Sequence, residues 1–182
     1  PECDWVELHN TTNRDIALEG FTLCDQPSDY DDMNLSCVLP ANGYLIVYCC
    51  DKDCGTKDQH ICIDLGISRY GETLYLYDPN GFEIDMCEVP GIPYKDVTYA
   101  RRTDGTFGYC ETPTPGEENT VEITADPPYR PEETAEQQTN GQGDEKIDPT
   151  EHAKRPMGLR ISEALANNAY SITDSEGERC DW

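Results

Sequence analysis

Basic residues are scarce in this sequence. Thirteen Lys and Arg face 37 Asp and Glu, which leaves a formal net charge of -24 at pH 7. A surface of this charge repels phosphates and anionic lipid headgroups, so we expect neither nucleic acid nor a membrane surface as a partner. An apolar run of about 18 residues is also missing, and we therefore expect no membrane-inserted helix.

Recognisable catalytic motifs are missing as well. The histidines His9, His60 and His152 are not accompanied by a Gly-x-Ser-x-Gly nucleophile element, and no glycine-rich phosphate loop occurs. Carboxylates are too numerous for any one pair to be diagnostic. The sequence therefore predicts a protein that is not an enzyme and needs no organic cofactor.

Helical periodicity is absent between residues 5 and 109, and short alternating or apolar runs separated by turn residues take its place. This pattern predicts an all-β sandwich of about eight strands. Asp78-Pro79-Asn80-Gly81 predicts a hairpin turn between two of them. The runs that predict strands are 4–9, 16–24, 44–49, 60–67, 73–77, 82–87 and 97–101, with a further alternating run at 159–165.

The chain changes character after Gly116. Residues 117–157 are acidic and rich in proline, contain no cysteine and hold one aromatic residue, Tyr129. We interpret them as a linker between a β-sandwich at 1–116 and a separate strand within 158–182. A coil of this length averages about 35 Å end to end, so the strand has a choice of sites to reach. Residues 161–169 could alternatively form a short helix.

Ten cysteines are many for a chain of this length and favour an oxidising compartment, outside the cell or on its surface. We expect most of them at strand ends or in loops, and we leave their pairing open. Cys49 and Cys50 are adjacent on a strand, so they point to opposite faces and should pair with different partners. The disulfide candidates are Cys3, Cys24, Cys37, Cys49, Cys50, Cys54, Cys62, Cys87, Cys110 and Cys180.

Two groups of residues are candidate metal sites. Asp25, Asp29, Asp31 and Asp32, with Asn34, place several hard oxygen ligands in one loop, as calcium prefers, although the order of an EF-hand is absent. A solvated acidic loop is the simpler interpretation. Zinc is the rival cation, with Cys50, Cys54, His60 and Cys62 as possible ligands, but disulfides explain the surplus of cysteines better.

Several short motifs follow one another along the chain and resemble, in this order, the lamin tail domain family. That family has an immunoglobulin-like β-sandwich and occurs in nuclear lamins and in many secreted prokaryotic proteins. The resemblance implies the same fold here, and the cysteine content favours a secreted member over a nuclear one. The motifs are Asp4-Trp5-Val6-Glu7-Leu8-His9-Asn10, Leu18-Glu19-Gly20-Phe21-Thr22-Leu23, Pro40-Ala41-Asn42-Gly43-Tyr44-Leu45-Ile46-Val47, Gly71-Glu72-Thr73-Leu74-Tyr75-Leu76, Tyr99-Ala100-Arg101 and Thr114-Pro115-Gly116-Glu117-Glu118-Asn119.

One element of the family pattern is displaced. The family begins with an Ile-Ser-Glu strand before its Asp-Trp motif, whereas here Ile161-Ser162-Glu163 follows the linker. The chain then continues to a second Cys-Asp-Trp at 180–182, which repeats Cys3-Asp4-Trp5. We therefore interpret the chain as one period of a tandem array.

A sandwich that lacks one strand exposes unpaired backbone groups and an apolar stripe. We expect the strand at 158–168 to fill this gap, either in its own chain or in the next copy, through Leu159, Ile161, Glu163 and Leu165. The second arrangement propagates head to tail, which predicts an extracellular filament or surface array whose partners are copies of itself. The alternative is a module that binds a glycan or a protein through its loops and tyrosines, such as Tyr75, Tyr77 and Tyr99, within a larger secreted enzyme or adhesin.

Overall fold

The computed structural model describes residues 3–27, 35–49, 61–92, 94–128 and 158–166. Within these ranges the chain forms strands and turns and no α-helix, so the predicted all-β class is confirmed, and no described segment is a helix that could cross a membrane. The strands are β1 (Asp4–Asn10), β2 (Ile16–Ala17), β3 (Thr22–Cys24), β4 (Val38–Leu39), β5 (Tyr44–Cys49), β6 (Ile61–Ile63), β7 (Gly71–Tyr77), β8 (Glu83–Pro90), β9 (Thr98–Arg101), β10 (Phe107–Cys110) and β11 (Leu159–Leu165).

The described strands form a large sheet, a smaller one and a short pair. The large sheet has six strands in the order β10-β9-β11-β1-β5-β6, and the smaller one has the order β3-β7-β8. Strands β2 and β4 pair separately. All described pairings are antiparallel except that of β5 with β6.

The hydrophobic core unites alternate residues of the two main sheets. Val6 and Leu8 of β1 belong to one buried cluster with Leu74 and Leu76 of β7, whereas Trp5 and Glu7 do not belong to it. Because successive side chains of a strand point to opposite faces, the first pair faces the core and the second pair faces away from it. The large sheet therefore has an inner face toward the smaller sheet and an outer face.

The predicted hairpin turn lies between β7 and β8. The carboxylate of Asp78 accepts hydrogen bonds from the backbone N–H groups of Asn80 and Phe82, both at 2.9 Å. An aspartate that bonds the backbone two residues later is the usual reason for this residue type at the start of a turn.

Several strand boundaries differ from the sequence prediction. The run at 16–24 forms two short strands, β2 and β3, because Glu19 and Gly20 make a turn between them. The run at 60–67 gives only β6, at Ile61–Ile63. The sequence did not predict β4 and β10, which are short and carry weak alternation.

The packed part of the chain also extends beyond the predicted boundary at Gly116. Asn119 is buried, and Thr124 forms a bridge with Tyr109 of β10 through two backbone hydrogen bonds of 2.9 Å. Residues 117–124 therefore belong structurally to the sandwich, although their composition is that of the acidic linker. The composition of residues 117–124 did not predict their attachment, because it depends on one buried amide and one backbone bridge rather than on apolar side chains.

Candidate strand-insertion site

Strand β11 lies inside the large sheet, between β1 and β9 of the same chain. Its ladder with β1 is long and runs from Trp5 opposite Leu165 to Asn10 opposite Leu159. Its ladder with β9 is short and joins Glu163 to Ala100 and Ala164 to Tyr99. We call the space between β1 and β9 the slot. Without β11, both neighbouring strands would present open edges there.

The chain enters the slot through Gly158, whose carbonyl accepts hydrogen bonds from the N–H and the hydroxyl of Thr11, at 2.7 and 2.8 Å. Gly158 has a positive φ of 76°, and a Cβ there would lie 2.4 Å from Cγ2 of Thr12. A residue with a side chain would therefore be strained at this position and would also have to push Thr12 aside.

Next to a bulge in β11, side chains rather than the β9 backbone bind the backbone groups of Ile161. The register shifts between Glu7 and Leu8, so that Ser162 has no partner of its own on β1. Next to it, the carboxylate of Asp85 accepts the N–H of Ile161 at 2.7 Å. The Nε of Arg101 donates to the Ile161 carbonyl at 2.8 Å.

Arg101 and Asp85 also form an ion pair with each other, at 2.5 Å, and both side chains are mostly shielded from solvent. The guanidinium is further held by the carbonyl of Gly105 and lies over the Phe107 ring, 4.2 Å from its centroid. This fixed pair satisfies the backbone groups that the interrupted ladder leaves open.

The two faces of β11 have different surroundings. Its inner face places Ile161 and Ala164 opposite Leu8 and Val6, and all of these side chains are fully buried in the core cluster. On the outer face, Glu163 lies directly opposite Glu7, and both glutamates are also fully buried. Two carboxyl groups thus face each other across the β1–β11 ladder.

Residues 114–119, which we call the cover segment, pass over this carboxyl pair. The Gly116 N–H donates to Oε2 of Glu7 at 2.5 Å, and the Thr114 N–H donates to Oε2 of Glu163 at 3.2 Å. Gly116 has a φ of 82°, which a glycine adopts without strain. The cover segment therefore binds one carboxyl group on each of the two paired strands.

Asn119 fixes the other end of the cover segment to the bulge. Its side-chain Nδ2 donates to the carbonyls of Ser162 and Arg101, at 3.0 and 3.2 Å. Its Oδ1 accepts the hydroxyl of Thr114 at 2.6 Å. A single buried amide thus links β9, β11 and the cover segment.

Burial raises the pKa of both glutamates. The pKa of Glu7 rises to about 8, because desolvation and the nearby Glu163 outweigh the hydrogen bonds from Gly116 and the Ser162 side chain. The pKa of Glu163 rises to about 7, because desolvation outweighs the hydrogen bonds of Thr98 and Thr114. Oε1 of Glu7 has no hydrogen-bond partner among the described residues. The site therefore favours the protonated, uncharged form of the pair.

The four residues that the sequence singled out in this strand are all buried. Leu159, Ile161, Glu163 and Leu165 lie on β11, and each is at most 1% exposed. Leu159 and Ile161 join the core cluster, whereas Leu165 lies opposite Trp5 on the outer face. The chain forms a strand here, and the alternative of a helix beginning at Ile161 is wrong for the described residues through Ala166.

The cysteines differ in part from the disulfide prediction. Cys3 and Cys62 are disulfide-bonded. Cys37, Cys49, Cys87 and Cys110 instead carry free thiols, and burial raises the pKa of each. A cysteine in an apolar core packs as a small hydrophobic side chain, which explains thiols at Cys49 and Cys87 within the core cluster. Cys24 is buried opposite Tyr75, and Cys50, Cys54 and Cys180 lie outside the described residues.

The predicted metal sites fall largely outside the described residues. Asp29, Asp31, Asp32 and Asn34 lie there, and Asp25 is described without them. The same holds for Cys50, Cys54 and His60 of the zinc alternative, while the disulfide-bonded Cys62 has no thiolate to offer a zinc ion. In the described part of the chain, no three His, Cys, Asp or Glu side chains cluster as a metal site would require.

A cleft of about 230 Å³ opens beside the entrance of the slot. His9 and Tyr44 stack at one side of it, with ring centroids 4.1 Å apart. Arg102, Arg160 and Glu118 also line the cleft. Arg101 lines the cleft too, so three arginines lie next to an aromatic surface in a chain of strong negative charge.

Sequence reasoning missed the residues that hold β11 through polar contacts. Arg101 and Asn119 were noted as parts of the family motifs, and Asp85 and Thr98 only as members of runs that predict strands. The signal that was available is the Thr-Pro-Gly-x-x-Asn motif, because a glycine and an amide at this spacing suit a turn that binds neighbouring strands. Asp85 carries no such signal, since its role depends on the packing of β8 beneath β11.

No protein-family model, curated protein or solved structure matches this chain.

Proposed function

We propose that this chain is a non-catalytic, extracellular structural module of the lamin-tail type that joins copies head to tail by strand complementation. The sandwich is then immunoglobulin-like, and β11 is its displaced first strand. The observation that carries the proposal is the position of β11, which fills an internal slot of the sheet although residues 129–157 separate it from the preceding described residues.

The register of β11 supports a role in an array. Its last residue, Leu165, lies opposite Trp5 near the start of β1. A strand that continues from Leu165 into another Asp-Trp element can therefore form an antiparallel pair with it, and the sequence repeats Cys-Asp-Trp at 180–182. The same β11 thus suits its own β1 and the β1 of a following copy.

Covalent attachment decides which copy receives the strand. A tethered strand has an effective concentration near the millimolar range, so a separate chain keeps its own β11 in most molecules. In a tandem array the following module is tethered as well, and the strand is shared head to tail. The disulfide-bonded Cys3 and Cys62 support the extracellular setting.

The proposal is tested by whether the slot accepts a strand from another molecule. The full chain with Ile161→Asp disables its own strand, because a carboxylate cannot be buried among Leu8 and the other core residues. A fluorescent peptide of residues 158–166 is titrated into this variant at pH 6 and followed by anisotropy. We expect saturable binding of the native peptide and none of a peptide that carries Ile161→Asp.

The variant Ile161→Ala repeats the test in a chain that is less disturbed, with folding checked by circular dichroism. Absence of peptide binding in both folded variants would refute strand complementation between copies. Electron microscopy of a two-module chain adds a second readout, since the proposal predicts modules joined in a line with a constant spacing.

A second candidate function is binding of a carboxylated glycan, and the cleft beside the slot favours it. Sugar rings pack against aromatic faces such as the His9–Tyr44 pair, and guanidinium groups bind carboxylates. Titration calorimetry with oligogalacturonate and with its neutral methyl ester tests this function. Binding of the acid alone, lost in Tyr44→Ala and Arg160→Gln, supports it, and equal heats for both sugars count against it.

A further inference from the structure

Glu7 and Glu163 form the least expected feature of the slot, since buried acidic side chains are usually paired with a cation. Here each glutamate faces another glutamate across the ladder, and the groups that shift their pKa include no cationic side chain. Gly116 and Ser162 donate hydrogen bonds to Glu7, and Thr98 and Thr114 donate to Glu163, but these bonds compensate only part of the cost of burial. Such a pair is stable when it carries no charge.

The geometry around Thr98 also suits a protonated Glu163. The Thr98 hydroxyl lies within hydrogen-bond distance of both Oε1 of Glu163 and the carbonyl of Cys110. The hydroxyl has one proton, so it cannot donate to both acceptors. When Glu163 is protonated it donates to Thr98, and Thr98 then donates to the Cys110 carbonyl.

Other titratable groups also lie near the pair or contact β11. Burial raises the pKa of Asp85, which accepts the Ile161 N–H, but unlike the two glutamates Asp85 has a cationic partner, Arg101, which lowers its pKa. Tyr44 of β5 and Cys110 of β10 interact electrostatically with Glu7 and Glu163, and burial raises the pKa of both. Glu118 adds negative charge on the cover segment, and His9 and Arg160 lie at the cleft, where burial lowers the pKa of His9. Ionisation of Glu7 and Glu163 therefore brings two facing charges into a site without a counterion.

We propose that protonation of Glu7 and Glu163 locks β11 in the slot, and that their deprotonation as the pH rises releases β11 for exchange with another copy. The proposal rests on the proposed strand complementation and adds its regulation. The direction follows from linkage: a carboxyl whose folded pKa is raised stabilises the docked state below the unfolded value near 4.5. That stabilisation is lost as the pH rises through about 7 and about 8.

Hydrogen exchange of the full chain measures release directly. Protection of the β11 amides, corrected for the intrinsic effect of pH, is compared with that of β5 between pH 6 and pH 9. We expect the protection of β11 to fall at least about tenfold more than that of β5. The double variant Glu7→Gln with Glu163→Gln mimics the protonated pair and should lose this difference.

Glu72→Gln is the matched control. Burial also raises the pKa of Glu72 to about 7, but this residue lies on β7 in the other sheet and bonds the Ser68 N–H. The control should keep the pH-dependent loss of β11 protection. Equal pH responses of β11 and β5 in the native chain, or a response that persists in the double variant, would overturn the proposed lock.

A second measurement separates failure of this lock from failure of the proposed function. The native chain is mixed with a fluorescent peptide of residues 158–166 that carries Glu163→Gln, and the rate of uptake is recorded at pH 6 and pH 9. We expect uptake to be at least about tenfold faster at pH 9. Equal rates, together with binding by the Ile161→Asp chain at pH 6, reject the lock and leave strand complementation intact. No binding by either folded variant, Ile161→Asp or Ile161→Ala, rejects strand complementation itself.

Discussion

The two faces of β11 hold the same strand by different physical means. The inner face buries Leu159, Ile161 and Ala164 in the core, and this contribution does not depend on pH. The outer face buries Glu163 against Glu7 beneath the cover segment, and its contribution depends on protonation. We infer that the inner face supplies most of the free energy that holds β11 in the slot. The outer face fixes the register of β11 and makes its release depend on pH.

The outer face fixes the register of β11 along the slot, because buried polar groups need particular hydrogen-bond partners. An apolar stripe tolerates a shift along the slot, but a shift by one residue would turn Glu163 into the core and leave it without Thr98 and Thr114. Buried polar contacts often specify one arrangement in this way.

The largest effect is expected from breaking the inner face. Ile161→Asp places a charged group in the core, and we expect a loss of at least about 3 kcal/mol in the free energy of unfolding. Urea denaturation followed by tryptophan fluorescence measures it. Arg160→Asp is the control on the same strand, since Arg160 is exposed and should change the stability by less than about 1 kcal/mol. Similar losses in both variants would show that the inner face is not the main contact.

A smaller effect is expected from the ion pair that borders the bulge. Asp85→Ala leaves the Ile161 N–H and the Arg101 guanidinium without their acceptor, and we expect a loss of about 2 kcal/mol. Glu88→Ala removes an exposed carboxylate from the same strand, β8, and serves as the control. Equal denaturation midpoints for the two variants would argue that Asp85 does not hold β11.

The smallest effect is expected from the attachment of the cover segment. Asn119→Ala removes the hydrogen bonds to the Ser162 and Arg101 carbonyls, and we expect a loss of about 1 to 2 kcal/mol. Hydrogen exchange of β11 should increase more than that of β7, because the amide contacts the bulge. Glu118→Ala, at an exposed position next to it, should leave both rates unchanged. If the hydrogen-exchange rates of β11 were unchanged in Asn119→Ala, the cover segment would not contribute to holding β11 in the slot.

The sequence predicted the apolar part of this site better than the polar part. The alternation from Leu159 to Leu165 predicted a strand with a buried face, because side-chain period reports burial directly. It placed Glu163 on the same face as Ile161 and Leu165, and it did not predict the bulge at Ser162, which leaves Ile161 in the core but turns Glu163 to the outer face. The pairing of Glu163 with Glu7 depends on strand order and on a bulge, and neither is encoded by local pattern.

The cysteines also show that sequence composition does not predict specific contacts. Their number predicted an oxidising compartment and general disulfide bonding, yet Cys49 and Cys87 pack in the core as thiols. Composition reports the frequency of a residue type, whereas pairing requires that two Cβ atoms approach within bonding geometry. Sequence alone therefore predicted the all-β class and a strand at 159–165, but not the contacts that fix this strand.

The most direct test of the account is the position of β11 in solution. Nuclear Overhauser contacts of the full chain at pH 6 report strand neighbours, and the account predicts backbone contacts from Ala164 to both Val6 and Tyr99. These contacts should be accompanied by slow exchange of the β11 amides. Absence of both contacts, with rapid exchange throughout residues 159–165, would contradict the insertion of this strand between β1 and β9.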